Sequence, residues 1–358
     1  MADQKTTARA APRHLSDTAN SLYAETLEQL LAEEAAGLDR HLRGSFKRRE
    51  LSGRGYWYYQ YRDLDQRVRQ LYCGPVNGAW DRIARSEEPA TDSGALDRKA
   101  QAGMLRAAGF STVPPDAFRL LAALGDAGLF KTGAVLIGTY AFMALGNQLG
   151  VAWPGRAATT QDIDVAHGRS VELAVPGAEM SIPGVLEGLE LGYQPIPRLD
   201  PKQPSATFMY RNRPLRLDLL TPAHGKRAEP IYIPALGAPA QVLRFLDYLL
   251  EMPQPAVVVG SRVLRVTVPD AARFAVHKLL ISAERPTSEQ AKARKDIDQA
   301  AQLLRVLVAD RPGDIAPAWH AARARGKNWA KRLERARHML PDELQNELGE
   351  AGVNSGER

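Results

Sequence analysis

Only one cysteine, Cys73, occurs in the 358 residues. A lone thiol excludes a disulfide within the chain and any zinc site built from cysteines. Long apolar runs are also missing. None approaches the roughly 20 residues that a helix needs to span a bilayer. The polar opening Met1–Arg9 is not followed by the apolar stretch of a secretory signal. These absences point to a cytoplasmic protein with no membrane partner. Neither sign of charge dominates: 47 Lys and Arg against 41 Asp and Glu leave a formal charge of +6. That mild excess admits nucleic acid or a nucleotide polyphosphate as partner and compels neither. No internal repeat is visible. The length suggests two or three domains.

What is present is more telling. Asp162-Ile163-Asp164 places two carboxylates on one face of a strand, because strand side chains alternate with period two. Two acids side by side repel each other, and such a pair persists where a cation lies between them, most often a hard divalent metal with oxygen ligands. Upstream, Val135-Leu136-Ile137-Gly138-Thr139-Tyr140-Ala141-Phe142 reads as a buried strand, a Gly-Thr turn and the start of an apolar helix. A turn of that kind presents backbone N–H groups and a hydroxyl to phosphate. Downstream, Leu215, Leu217 and Leu219 alternate with Arg216 and Asp218, so Asp218 leaves its strand on the face away from the leucines. It is the candidate third carboxylate.

Gly-[Ser/Thr], then Asp-x-Asp, then a lone Asp on a later strand resembles the nucleotidyltransferase fold of the DNA polymerase β-like superfamily. The wording around Gly138, Asp162 and Asp218 is similar to a bacterial branch of nucleotidyltransferase-fold proteins and, more distantly, to the AbiEii/MenT-type toxin nucleotidyltransferases. The likeness covers roughly residues 105–307. It departs from the shortest members in the gap between Thr139 and Asp162, filled by extra helix and the loop from Gly150 to Gly155. The resemblance implies an α+β fold with a mixed-sheet core. It also implies Mg²⁺ or Mn²⁺ held by Asp162, Asp164 and Asp218 as catalytic residues, and an NTP held near Gly138, Thr139 and Thr160. Thr160 can also bond a neighbouring backbone group and set the entry of its strand.

Three regions are expected. Residues 1–113 would form an N-terminal helix, over Ser16–Leu42, and a small antiparallel sheet. Residues 114–238 would form the catalytic core. Residues 239–345, mostly helical, would close the nucleotide site, beginning with a helix near Gln241–Glu251, and the last residues of the chain would be frayed. On the helix around Phe274, Lys278 sits among apolar neighbours and needs an anionic partner, either a triphosphate or a carboxylate. His277 reads as a packed histidine. On the next helix Lys292, Lys295 and Asp296 share a face by helical spacing. A Lys-Asp pair near the nucleotide is what the resemblance implies, against the plainer reading of a solvated charged face. The basic stretch Arg323 to Arg337 reads as a solvated helix face or a guide for a phosphate backbone.

In the N-terminal module, Arg54, Tyr56, Tyr58 and Arg62 interleave arginine with aromatics. Such a strand can stack on unpaired bases and hold phosphates. The alternative is a mini-core of Tyr56 and Tyr58 packed on the N-terminal helix. These readings converge on transfer of NMP from NTP to an RNA acceptor such as tRNA. The toxin likeness adds a toxin or phage-defence role and an antitoxin protein as partner. The rival readings are nucleotidylation of a protein or small molecule, and a non-catalytic nucleic-acid-binding protein that keeps the fold.

Overall fold

A computed structural model describes residues 11–41, 44–51, 54–62, 68–76, 93–154, 160–168, 180–197, 203–211, 213–223, 225 and 229–353. Side chains at 35–41, 44–46, 51, 54, 59–62, 68–75 and 93–97 lie outside that description.

The chain opens with β1 (Arg13–His14) and α1 (Asp17–His41). Ser16 caps α1, its hydroxyl accepting the Ala19 N–H at 3.2 Å. Next come β2 (Gly44–Leu51), β3 (Arg54–Arg62) and β4 (Val68–Pro75), an antiparallel three-stranded sheet in that order. A register shift between Trp57 and Tyr58 marks its pairing with β4. The helix α2 (Ser93–Ala107) leads to α3 (Pro115–Asp126). Pro115 suits a helix's first position, where its missing N–H costs nothing.

The central sheet begins with β5 (Val135–Ile137), which turns directly into α4 (Gly138–Gln148). A short β6 (Val151–Ala152) pairs back with β1, and Trp153 stacks on Phe142 with ring centroids 4.5 Å apart. β7 (Asp162–Ala166) follows, then α5 (Ile182–Gly188), β8 (Tyr193–Pro195), β9 (Thr207–Tyr210), β10 (Arg216–Pro222), β11 (Ile231–Ile233) and β12 (Ala238–Leu243). The spatial order is β11-β12-β10-β7-β5, with β9 and then β8 attached beside the first half of β10. β7 runs parallel to β10 and antiparallel to β5, so the sheet is mixed, as expected.

The sheet runs on to Leu243, and the helix expected near Gln241 is a strand. Ala238, Ala240 and Val242 are buried in alternation, a period of two that small residues and Pro239 hide from a helical reading. Only a single turn, α6 (Leu246–Leu249), is helical there. A hairpin, β13 (Gln254–Val259) and β14 (Val263–Val268), precedes the helices α7 (Ala271–Ser282), α8 (Gln290–Asp310), α9 (Ile315–Arg323), α10 (Lys327–Arg337) and α11 (Asp342–Leu348). The described C-terminal segment is packed, with Leu344, Leu348 and Val353 buried, and the last residues, 354–358, expected to fray, lie outside the described residues.

One large apolar cluster runs from Val113 through both faces of the sheet to Val353. A second holds Leu15, Ala19, Tyr23 and Leu30 of the N-terminal segment, Ala102 and Leu105 of α2, and Val257, Val259 and Val263 of the hairpin. Among the described residues α1 therefore packs on α2, on Phe110, whose ring stacks on Tyr23 at 5.4 Å, and on the β13–β14 hairpin. Among the described residues no helix is long and apolar enough to cross a membrane.

Candidate active site

Strand register assembles the site. β7 and β10 are neighbours in parallel, with Asp162 opposite Arg216 and Asp164 opposite Asp218. Paired residues of adjacent strands point to the same face, so the three carboxylates share one side of the sheet. Leu217 and Leu219 fill the other side and are wholly buried. β5 delivers the third component. Ile137 pairs with Asp164, which brings the first residue of α4, Gly138, against that carboxylate. Gly138 has a left-handed φ of 68°, and a Cβ there would overlap Asp164 Oδ2. Glycine is required at this contact twice over. Thr139, next along, is buried.

Each outer carboxylate is engaged. The Arg216 guanidinium sits 2.8 Å from Asp162 Oδ1. Thr207, opposite Asp218 in β9, donates its hydroxyl to Asp218 Oδ1 at 2.5 Å. Asp164 is the most deeply enclosed of the three. Burial first, then the nearby Asp218, pushes its carboxyl up to about 7, with Lys278 opposing. Burial also raises Asp218, against the Thr207 hydrogen bond, Arg216 and Lys292. The entry to β7 is fixed from below. The Thr160 hydroxyl accepts the Asp162 N–H at 3.2 Å, and the Tyr140 hydroxyl reaches the Thr160 carbonyl at 3.3 Å.

The helices α7 and α8 bring the cations. Lys278 is buried, with 8% of its surface exposed, and its ammonium lies 2.8 Å from Asp296 Oδ1. Arg285 takes the other oxygen of Asp296 at 2.6 Å. The anionic partner that Lys278 requires is therefore this carboxylate. Lys295 is half-buried; burial and Lys278 lower its ammonium, while Asp296, Asp162 and Asp164 oppose that. Lys292 is exposed and lies 3.5 Å from Glu289. Four cations thus act on the acid face: Arg216, Lys278, Lys292 and Lys295. Among the described residues no three acidic, cysteine or histidine side chains close on a point that could hold a metal. Asp162 is turned onto Arg216 and Asp218 onto Thr207.

A family model described as nucleotidyltransferase matches residues 116–324, which contain this entire arrangement. The chain belongs to the nucleotidyltransferase family. No curated protein and no solved structure matches it. The nucleotidyltransferase is therefore an enzyme that transfers a nucleoside monophosphate, and the non-catalytic reading falls away.

Sequence reasoning passed over Thr207, Tyr140 and Arg285 and gave Arg216 no role. Arg216 was legible, since it shares the parity of Asp218 on β10. Thr207 carried no signal, because only the register of β9 against β10 brings it to Asp218. In the N-terminal sheet, Tyr56 and Tyr58 are half-buried on β3, and the Arg49 guanidinium lies 5.7 Å from the Tyr58 ring centre. The side chains of Arg54 and Arg62 lie outside the described residues. Much of the C-terminal basic stretch is spent on packing. Arg325 pairs with Asp247 and Glu251, and Arg332 pairs with Glu284.

Proposed function

We propose that the nucleotidyltransferase moves an NMP unit from an NTP to an RNA acceptor of the tRNA class, with Asp162, Asp164 and Asp218 as its catalytic carboxylates. One observation carries the reading: three carboxylates in cross-strand register on one sheet face, with Arg216 on Asp162 and the charges of Lys278, Lys292 and Lys295 within electrostatic reach. The donor set is three hard oxygen ligands, and its middle member, Asp164, is raised by burial first and then by the charge of Asp218. That is the chemistry Mg²⁺ or Mn²⁺ matches, and rotation of Asp162 off Arg216 would complete the set. Bound there, the cation would neutralise charge on the attacking and leaving oxygens.

The residues divide the work. Gly138 and Thr139, at the N-terminus of α4, offer N–H groups to the polyphosphate. Arg216, once released from Asp162, and Lys295 are placed to hold its charge, beside the buried Lys278–Asp296 pair. Thr207 fixes Asp218 Oδ1, which leaves Oδ2 to take the proton of the acceptor hydroxyl. The hydroxyl oxygen then bonds to the α-phosphorus, the bond to the bridging oxygen breaks, and pyrophosphate leaves. The aromatic and basic surface of β2 and β3, where Arg49 lies over Tyr58, favours an RNA acceptor. The likeness to toxin nucleotidyltransferases supports a toxin or phage-defence role with an antitoxin partner.

Total tRNA incubated with each NTP and Mg²⁺ is expected to gain the mass of one or more nucleotides. The change Asp164→Asn should abolish that gain while leaving the thermal midpoint near wild type. Label from NTP that enters protein and never RNA would replace the RNA acceptor with a protein one.

A further inference from the structure

Away from the carboxylates, a cavity of about 880 Å³ opens between α2, α3 and the turn of the β13–β14 hairpin. Three arginines, 106, 119 and 262, line it against one carboxylate, Asp126. Arg262 is bound to Asp126 at 2.5 and 2.6 Å. Arg106 is aimed by the Gly260 carbonyl, 2.7 Å from its Nη2, and a carbonyl leaves its charge uncancelled. Arg119 is exposed and forms no ion pair among the described residues. Among the described residues, two guanidinium charges therefore face the cavity without a carboxylate partner. Pro114 and Pro115 form an exposed apolar wall beside them. The bowl depends on Gly260, because a Cβ there would overlap the Phe118 ring and force the hairpin off α3.

The bowl is linked to the carboxylates by the fold. Arg119 lies one helical turn from Asp116, which pairs with Arg213 in the turn between β9 and β10. Arg216 follows three residues later, at the start of β10, and pairs with Asp162. Arginines thus mark a track from the bowl to the catalytic face. A guanidinium fork matches phosphate, and an apolar wall beside it accepts a base. The cavity also falls in the size range of small-molecule and nucleotide sites, roughly 300–1,000 Å³.

We propose that this bowl seats a single-stranded segment of the RNA acceptor upstream of its reacting end. Phosphates lie on Arg106 and Arg119 and a base rests on Pro114 and Pro115. The inference rests on RNA being the acceptor, and it is tested by binding, without turnover. A short single-stranded RNA labelled with fluorescein is titrated with the full chain by fluorescence anisotropy, without NTP, at several salt concentrations. For Arg106→Ala/Arg119→Ala, Kd should rise about tenfold and the slope of log Kd against log salt should fall by about 1.4, the loss of two phosphate contacts on a single strand. Arg119→Ala alone, at an exposed position, should give about half the change in slope without risk to folding.

Wild-type affinity and slope in both variants, with tRNA still extended by the wild type, would overturn the bowl and leave the acceptor reading intact. A wild type that neither binds nor extends RNA would overturn both. Displacement of a fluorescein-labelled polyglutamate from the wild type but not the double variant, with RNA binding equal in the two, would reassign the bowl to an acidic protein.

Discussion

Gly138 lies where two constraints meet. Its φ of 68° is costly for any side chain, and its Cα faces the carboxylate of Asp164 closely enough that a Cβ would overlap Oδ2. The strain alone is worth about 1–2 kcal/mol, which a domain of this size survives. The overlap is a different matter, because Asp164 is locked into β7 by pairing on both sides, and only its carboxylate can give way. Gly138→Ala is therefore expected to lower kcat by roughly a hundredfold, the effect of an ångström's misplacement at a reacting centre. Its thermal midpoint should drop only a few degrees. Steady-state kinetics beside a melting curve checks both. An alanine variant with full kcat would mean that the position of Asp164 does not matter to transfer. Thr207 and Arg216 act at the same scale: Thr207 fixes one outer carboxylate through its hydroxyl, and Arg216 fixes the other through Nε and Nη2.

Between elements, the pair α7 and α8 is joined by charge as well as by apolar packing. Asp296, only 3% exposed, takes Lys278 on one oxygen and Arg285 on the other. A buried carboxylate in such a cluster contributes little net stability against an apolar replacement, but removing it alone strands Lys278 in the interior. Asp296→Ala should thus cost about 3–5 kcal/mol, seen as a lower urea midpoint at unchanged slope. The double change Lys278→Met/Asp296→Leu should recover most of that loss. A double variant as unstable as the single one would show that packing, and not the stranded ammonium, sets the cost. This cluster also shows how far the sequence could be read. That Lys278 needed an anion was legible from its apolar neighbours, and the shared face of Lys292, Lys295 and Asp296 from helical spacing. Which anion it takes depends on how the two helices are set against each other, which no local pattern encodes. The same holds for the sheet. The parity of Asp162, Asp164 and Asp218 was visible within each strand, whereas Thr207 and the strand at Ala238–Leu243 became visible only through pairing.

Across the whole molecule, the central sheet and the C-terminal helices share one apolar cluster, and His277 of α7 lies within that assembly. Its side chain is buried, and Nε2 has no hydrogen-bond partner among the described residues. Burial first, then Lys278 beside it, pulls its pKa from the ordinary 6.5 down to about 3; Arg285 adds to that and Asp296 opposes it. The folded protein therefore keeps this histidine neutral at pH values where the unfolded chain protonates it. Above pH 6.5 the difference vanishes. Between 6.5 and about 3 the unfolded state gains a proton that the folded state refuses, and stability falls toward a limiting slope of about 1.4 kcal/mol per pH unit. Carboxylates elsewhere titrate over part of the same range, so the informative quantity is a difference between two proteins. His277→Gln lacks the titrating ring but has a similar polar tip. Relative to this variant the wild type should lose about 1.6 kcal/mol between pH 6.5 and 5, measured by urea unfolding at each pH, with almost no relative change between pH 7 and 8. Parallel curves over the whole range would show that His277 accepts a proton in the folded state, and that the core around α7 admits water.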